Sequence, residues 1–120
     1  MEDSRAARGR AGEAQAAEIL EAEGWLILAR NYRAGRGEID LVAFREGLLA
    51  IVEVKTWRGL GVGELERAIG PTKRRRIVET AKIFLAQYRE YSNARIRFDV
   101  LLLEGGGSVH RIESAFTGEL

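Results

Sequence analysis

The 120-residue sequence contains no cysteine and only one proline, one histidine and one methionine. Without thiols there are no disulfides, no thiolate metal sites and no cysteine nucleophiles, and the usual form of a small secreted scaffold is excluded. The lone His110 leaves no imidazole pair for a metal, so it is expected at the surface or in packing. No apolar run approaches the ~20 residues that span a bilayer. The segment from Met1 to Gly12, with Glu2, Asp3, Arg5, Arg8 and Arg10, lacks the apolar stretch of a signal peptide. There is no repeat and no low-complexity tract, and the longest glycine run is Gly105 to Gly107. These absences lead to the expectation of one soluble cytoplasmic domain over 1–120, with residues 1–10 flexible and no membrane contact.

What is present is unevenly charged. The net charge is +1, from 19 Lys plus Arg against 18 Asp plus Glu. Residues 38–57 sum to −2, whereas residues 58–97 sum to +6. Such a contrast suits an acidic pocket beside a surface that attracts a polyanion. The cations are 16 Arg and 3 Lys, a ratio compatible with phosphate recognition by the guanidinium fork; a GC-rich genome would produce it as well.

Periodicity predicts the element order α-β-β-β-α-β-β. Ala16, Ala17 and Leu20 form an apolar stripe on a helix over Ala11 to Glu23 that Gly24 ends. Trp25 to Arg30 reads as a short strand, with Trp25 in the core. A bend over Ala34 to Gly37 leads into two β-rich runs, Glu38 to Phe44 and Leu48 to Thr56, spaced as a hairpin. Gly59, Gly61 and Gly63 mark a mobile loop, followed by a helical turn over Glu64 to Ile69. Gly70 and Pro71 break that turn, and Thr72 is placed to cap a helix running to about Tyr91. In it Ile77, Ala81, Phe84, Leu85 and Tyr88 face the core. Strands over Arg95 to Leu103 and Val109 to Phe116 follow.

The chemistry rests on charges inside apolar strands. Alternation puts Glu38 and Asp40 on the face of Val42 and Phe44, and Glu53 and Lys55 on the face of Leu49 and Ile51. If Phe44 pairs with Leu49, Asp40 stands opposite Glu53 and Glu38 opposite Lys55; a one-residue slip would separate the pairs. Two facing carboxylates destabilise a sheet unless something neutralises them. A divalent cation such as Mg2+ or Mn2+ would do so through hard oxygen ligands, and Lys55 would point its ammonium at an anion held there. This combination suits phosphodiester hydrolysis. The alternative is a salt-bridged edge of a half-solvated sheet. Glu13 belongs to the Ala16, Ala17 and Leu20 stripe, although a carboxylate near a helix start is also favoured by the macrodipole.

Lys73, Arg74, Arg75 and Arg76 occupy the first turn of the long helix, where cations oppose the dipole. They are either phosphate contacts or a solvated helix face. Trp57 is placed to stack on a base or to pack, and Asp99 reads as a buried salt-bridge or turn partner.

The run GEIDLVA from Gly37 to Ala43, followed by IVEVKT from Ile51 to Thr56, resembles the half-motifs of the PD-(D/E)XK nuclease superfamily, with Ile39 where the name-giving proline would stand. Gly12-Glu13, Gly24-Trp25, Asn31 to Arg33, the Lys73 region and Arg97 to Val100 extend the match to the YraN-like family of bacterial proteins, similar in fold to archaeal Holliday-junction resolvases. The resemblance implies an α/β, restriction-endonuclease-like αβββαβ core with a mixed sheet flanked by helices. It also implies Glu13, Asp40 and Glu53 as metal-site carboxylates, Lys55 as the catalytic lysine and, with a two-fold junction, a possible homodimer. Two functional expectations follow. One is a magnesium-dependent nuclease acting on DNA rather than RNA, with branched DNA as a candidate substrate. The other is a nucleic-acid-binding or partner-binding module with little or no catalysis.

Overall fold

The computed structural model describes residues 4–57, 69–104 and 108–118. The glycine loop at Gly59, Gly61 and Gly63, the helical turn starting at Glu64, the Gly105 to Gly107 turn and the side chain of Trp57 lie outside the described residues. Helix α1 (Ser4–Ala22) is followed by strands β1 (Leu26–Ala34), β2 (Gly37–Arg45) and β3 (Leu48–Trp57), helix α2 (Pro71–Gln87), a 3-10 turn at Arg89–Tyr91, and strands β4 (Arg95–Glu104) and β5 (Val109–Phe116). The element order is the expected one. No described helix is long and apolar enough to cross a membrane.

The five strands form one sheet in the order β1-β2-β3-β4-β5. β3 and β4 are parallel, and the other neighbours are antiparallel. A parallel pair needs a crossover, which α2 supplies between them. The fold is therefore α/β with a mixed sheet between two helices, consistent with a restriction-endonuclease-like core. On one face, Val42, Leu49, Ile51, Phe98, Val100 and Leu102 pack with Ile77, Ala81 and Phe84 of α2. On the other, Leu41, Ala43, Ala50, Val52, Leu101 and Leu103 pack with Ala16, Ala17 and Leu20 of α1. Trp25 is buried in that second cluster, with the Arg45 guanidinium 4.6 Å from its ring centre.

Several boundaries differ from the sequence expectation. α1 begins at Ser4 rather than Ala11. It stops where Gly24 adopts φ +94°, which lets the Trp25 N–H donate to the Leu20 carbonyl at 3.0 Å. β1 runs on to Ala34 instead of ending at Arg30, because Arg33 and Ala34 pair with Glu38 and Gly37. It is an edge strand in which no side chain is fully buried, so it carries no long apolar pattern. α2 is not capped by Thr72. Gly70 takes the cap position without a side-chain bond, and Pro71 opens the helix, its fixed φ suiting the first turn and its missing N–H leaving no orphan there. α2 ends at Gln87, since Tyr88 adopts φ −114° and ψ 75°. Tyr88 is 42% exposed, so only part of its expected core contact is made, through its ring 4.6 Å from that of Phe84.

The β2–β3 hairpin has the favourable register, Phe44 with Leu49 through Leu41 with Val52. Its turn uses positive φ at Glu46 and Gly47, matching the twist of the strands. Beyond Leu41 the alternation of β2 breaks: Ile39 and Val42 both lie beneath α2, whereas Leu41 faces α1. Asp40 sits at that break.

Candidate functional site

Backbone pairing between β2 and β3 stops at Leu41 and Val52, and a side chain takes over. The Val54 N–H donates to Asp40 Oδ2 at 2.8 Å. A strand N–H that would otherwise face a carbonyl is thus satisfied by a carboxylate, which is held at the point where the strands diverge. Next to it, Glu53 is buried with 6% of its surface exposed. Its Oε2 meets the Lys73 ammonium at 3.5 Å, and its Oε1 is buried without a hydrogen-bond partner. Burial and the neighbouring Asp40 charge push the Glu53 carboxyl up to about 8, against the pull of Lys73.

Glu13 approaches Asp40 from α1. Because the helix starts at Ser4, Glu13 lies in mid-helix, beyond the first turn over which the macrodipole acts; the helix-start explanation for this carboxylate fails. Burial raises its pKa, as do the charges of Asp40 and Glu38, while a hydrogen bond with Asn31 opposes them. Asn31 has φ 50°, a left-handed conformation that asparagine tolerates better than most residues. α1 comes this close to β3 because Gly12 faces Val54 and Thr56. A Cβ at Gly12 would lie 3.4 Å from Thr56 Oγ1 and 4.0 Å from Val54 Cγ1.

Asp40, Glu53 and Glu38 open onto a cavity of about 510 Å³ whose far wall is the start of α2, with Lys73, Arg76 and Ile77, and whose rim includes Arg36. Glu38 does not stand against Lys55. The hairpin ladder ends first, and Glu38 pairs across β1 with Arg33 at 3.4 Å. Lys55 shares the strand face of Glu53 but is exposed and does not line this cavity.

The four-residue basic cluster splits. Lys73 and Arg76 face the cavity. Arg74 is half-buried; its Nε donates to the Ile69 carbonyl at 2.6 Å, and its guanidinium lies 5.7 Å from the Phe116 ring centre. Arg75 is exposed, 3.4 Å from the Thr72 hydroxyl.

The profile of the uncharacterised protein family UPF0102 matches residues 12–103. Similar proteins include a UPF0102 protein of Granulibacter bethesdensis, 46% identical over 108 residues that make up 90% of this chain and 67% of the relative. A UPF0102 protein of Azorhizobium caulinodans is 44% identical over 110 residues, 92% of this chain and 82% of the relative. One from Treponema pallidum is 45% identical over 95 residues, 79% and 75% of the two chains. The chain belongs to the UPF0102 family.

The matched span of this UPF0102 chain includes Glu13, Asp40, Glu53, Lys55 and Lys73 to Arg76. Among the described residues, no three acidic or histidine side chains converge as a ready cage for an ion. The donors do fit a magnesium-type site of another form, in which one or two carboxylates bind and water and phosphate complete the shell. The buried, unpartnered Glu53 Oε1 beside Asp40 is the feature that fits it.

Sequence reasoning missed the contact of Lys73 with Glu53, the role of Asn31 beside Glu13 and the presence of Arg36 at the rim. Helical spacing could have signalled Lys73, since it lies one turn before Ile77 on the core-facing side. Asp99 is the buried salt-bridge partner expected: its carboxylate receives Arg97 Nε at 2.9 Å and the Ser114 N–H at 3.0 Å. His110 is exposed, its Nε2 3.5 Å from a Glu104 oxygen.

Proposed function

We propose that this chain is a cytoplasmic, magnesium-dependent (or manganese-dependent) nuclease-fold protein that hydrolyses phosphodiester bonds in DNA, with branched or junction DNA as its substrate. The observation that supports this reading is the buried Glu53 carboxyl, one oxygen unpartnered, set beside Asp40 and opposite the Lys73 and Arg76 wall. Asp40 and Glu53 would hold the cation, and Glu13 would support Asp40 from α1. When bound, a divalent cation would lower the pKa of a water and polarise a phosphoryl oxygen.

The chain's own residues do the rest. The Val54 N–H fixes the direction of the Asp40 carboxylate. Glu53 is buried beside Val100 of β4, and the exclusion of water there strengthens every charge interaction. Lys73 and Arg76 draw a phosphate toward the carboxylates. Lys55, exposed on the same strand face and outside the cavity lining, would offset developing negative charge from the solvent side. A two-fold junction would be served by a symmetric pair of subunits.

The test is cleavage of labelled four-way junction, duplex and single-stranded DNA in magnesium and in manganese, with Glu53→Gln in parallel. Cleavage lost in the variant supports the reading, and equal cleavage by both proteins removes it. A second reading is favoured by the Lys73 ion pair, which already occupies one Glu53 oxygen: a binding module on the same fold. It predicts salt-dependent DNA affinity indifferent to magnesium, with no Glu53-dependent cleavage.

A further inference from the structure

Lys73 lies on α2 and not on the motif strand β3, yet it is the ammonium in contact with the buried carboxylate, 3.5 Å from Glu53 Oε2. Its side chain is 49% exposed while that of Glu53 is 8% exposed. The two ends of this ion pair therefore have different freedoms. Glu53 is fixed by its strand. Lys73 hangs over the cavity from the open end of α2 and can swing into solvent without leaving a void.

Its location also carries a local cost, because a cation in the first turn of a helix opposes the macrodipole. Glu53 offsets that cost, and so would a phosphate. Lys73 thus has two alternative anionic partners in one cavity, which Arg76 also lines. A divalent cation held by Glu53 would repel the ammonium and favour its release toward an anion in the cavity.

We propose that Lys73 is an exchangeable counter-ion: it neutralises Glu53 until a divalent cation takes that carboxylate, and it then moves to the phosphate backbone of the bound nucleic acid. This inference rests on the proposed metal site and assigns to one residue the coupling between loading the cation and gripping the substrate.

Manganese binding by calorimetry to the wild-type chain, Lys73→Met, Arg75→Met and Glu53→Gln tests it, with duplex DNA affinity measured in calcium as the second readout. Lys73→Met keeps the length of the stem and removes the charge. Arg75→Met makes the same change in net charge from an exposed position on the same turn. Lys73→Met is expected to bind manganese roughly twofold to fivefold more tightly than wild type, the range of a half-exposed ion pair, and Arg75→Met to bind it as wild type does. In calcium, Lys73→Met is expected to bind DNA more weakly. Manganese affinity that is unchanged or lower in Lys73→Met, while remaining dependent on Glu53, overturns the counter-ion role alone. No manganese binding by wild type overturns the metal site and the exchange together. Thermal melting of each variant confirms that a folded protein is being compared.

Discussion

The Val54 amide donates to Asp40 Oδ2 at 2.8 Å, so a side-chain carboxylate continues the β2–β3 pairing where the backbones have separated. Asp40 is therefore both a wall of the cavity and a structural acceptor. Its replacement should expose those two roles separately. Asp40→Ala leaves a part-buried N–H without its partner and should cost about 1–3 kcal/mol in urea denaturation. Asp40→Asn keeps an acceptor oxygen for Val54 and should lose no more than about 1 kcal/mol, yet it removes the charge a cation needs. Equal losses of stability in the two variants would show that the amide bond does not matter.

Glu53 sets the pH dependence. Its carboxyl is raised from 4.5 to about 8 in the folded chain, so the folded state binds more protons than the unfolded one between those values. Stability from this group is then complete below about pH 4.5 and is lost as pH rises to about 8. Glu53→Gln cannot ionise and should escape that loss. Urea melts at pH 5 and pH 9 should find the variant similar to wild type at the lower value, and more stable by a few kcal/mol at most at the higher. A variant less stable than wild type at pH 9 would contradict the assignment.

The parts of this site differ in how far the sequence reveals them, and the reason is physical. Asp40 and Glu53 were legible because period-2 alternation and a hairpin register are local properties of a short stretch. The register held from Phe44 to Leu41 and then failed for Glu38, since no pattern signals that a carboxylate will replace a carbonyl. The approach of α1 and α2 to opposite faces of the sheet depends on packing between distant segments. Lys73 therefore reads as one of four equivalent cations in sequence, although only it meets Glu53 among the described ion pairs. Glu13 was placed on the correct stripe, but its distance from the helix start depended on a boundary seven residues away from the expected one.

Gly37 is the position through which packing controls the site. A Cβ there would lie 2.5 Å from Thr80 Oγ1 and 2.6 Å from the Arg76 carbonyl oxygen. Gly37→Ala should displace α2 and with it Lys73 and Arg76, costing about 1–3 kcal/mol and weakening DNA binding. The backbone clash makes a sharper expectation possible. Trimming Thr80 to Ala in the same chain removes one obstacle but leaves the Arg76 carbonyl in place. It also takes away a hydroxyl that is 3.0 Å from the Ala34 carbonyl. The double variant should therefore not recover wild-type stability, and full recovery on thermal melting would place the strain at Thr80 alone.

Arg74 and Arg75 are neighbours in sequence with opposite expected effects. Arg74 spends its guanidinium inside the protein, on the Ile69 carbonyl and the Phe116 ring, so Arg74→Ala should lose about 1–3 kcal/mol of stability. Arg75 is exposed, so its replacement by Ala should change stability by less than about 0.5 kcal/mol. If it touches DNA phosphate, its loss should flatten the plot of log affinity against log salt by about 0.9. Measuring both variants by urea denaturation and by salt-dependent DNA binding separates the two functions that one run of four cations contains. A destabilised Arg75→Ala with an unchanged salt slope would reverse the assignment, making the outward arginine structural.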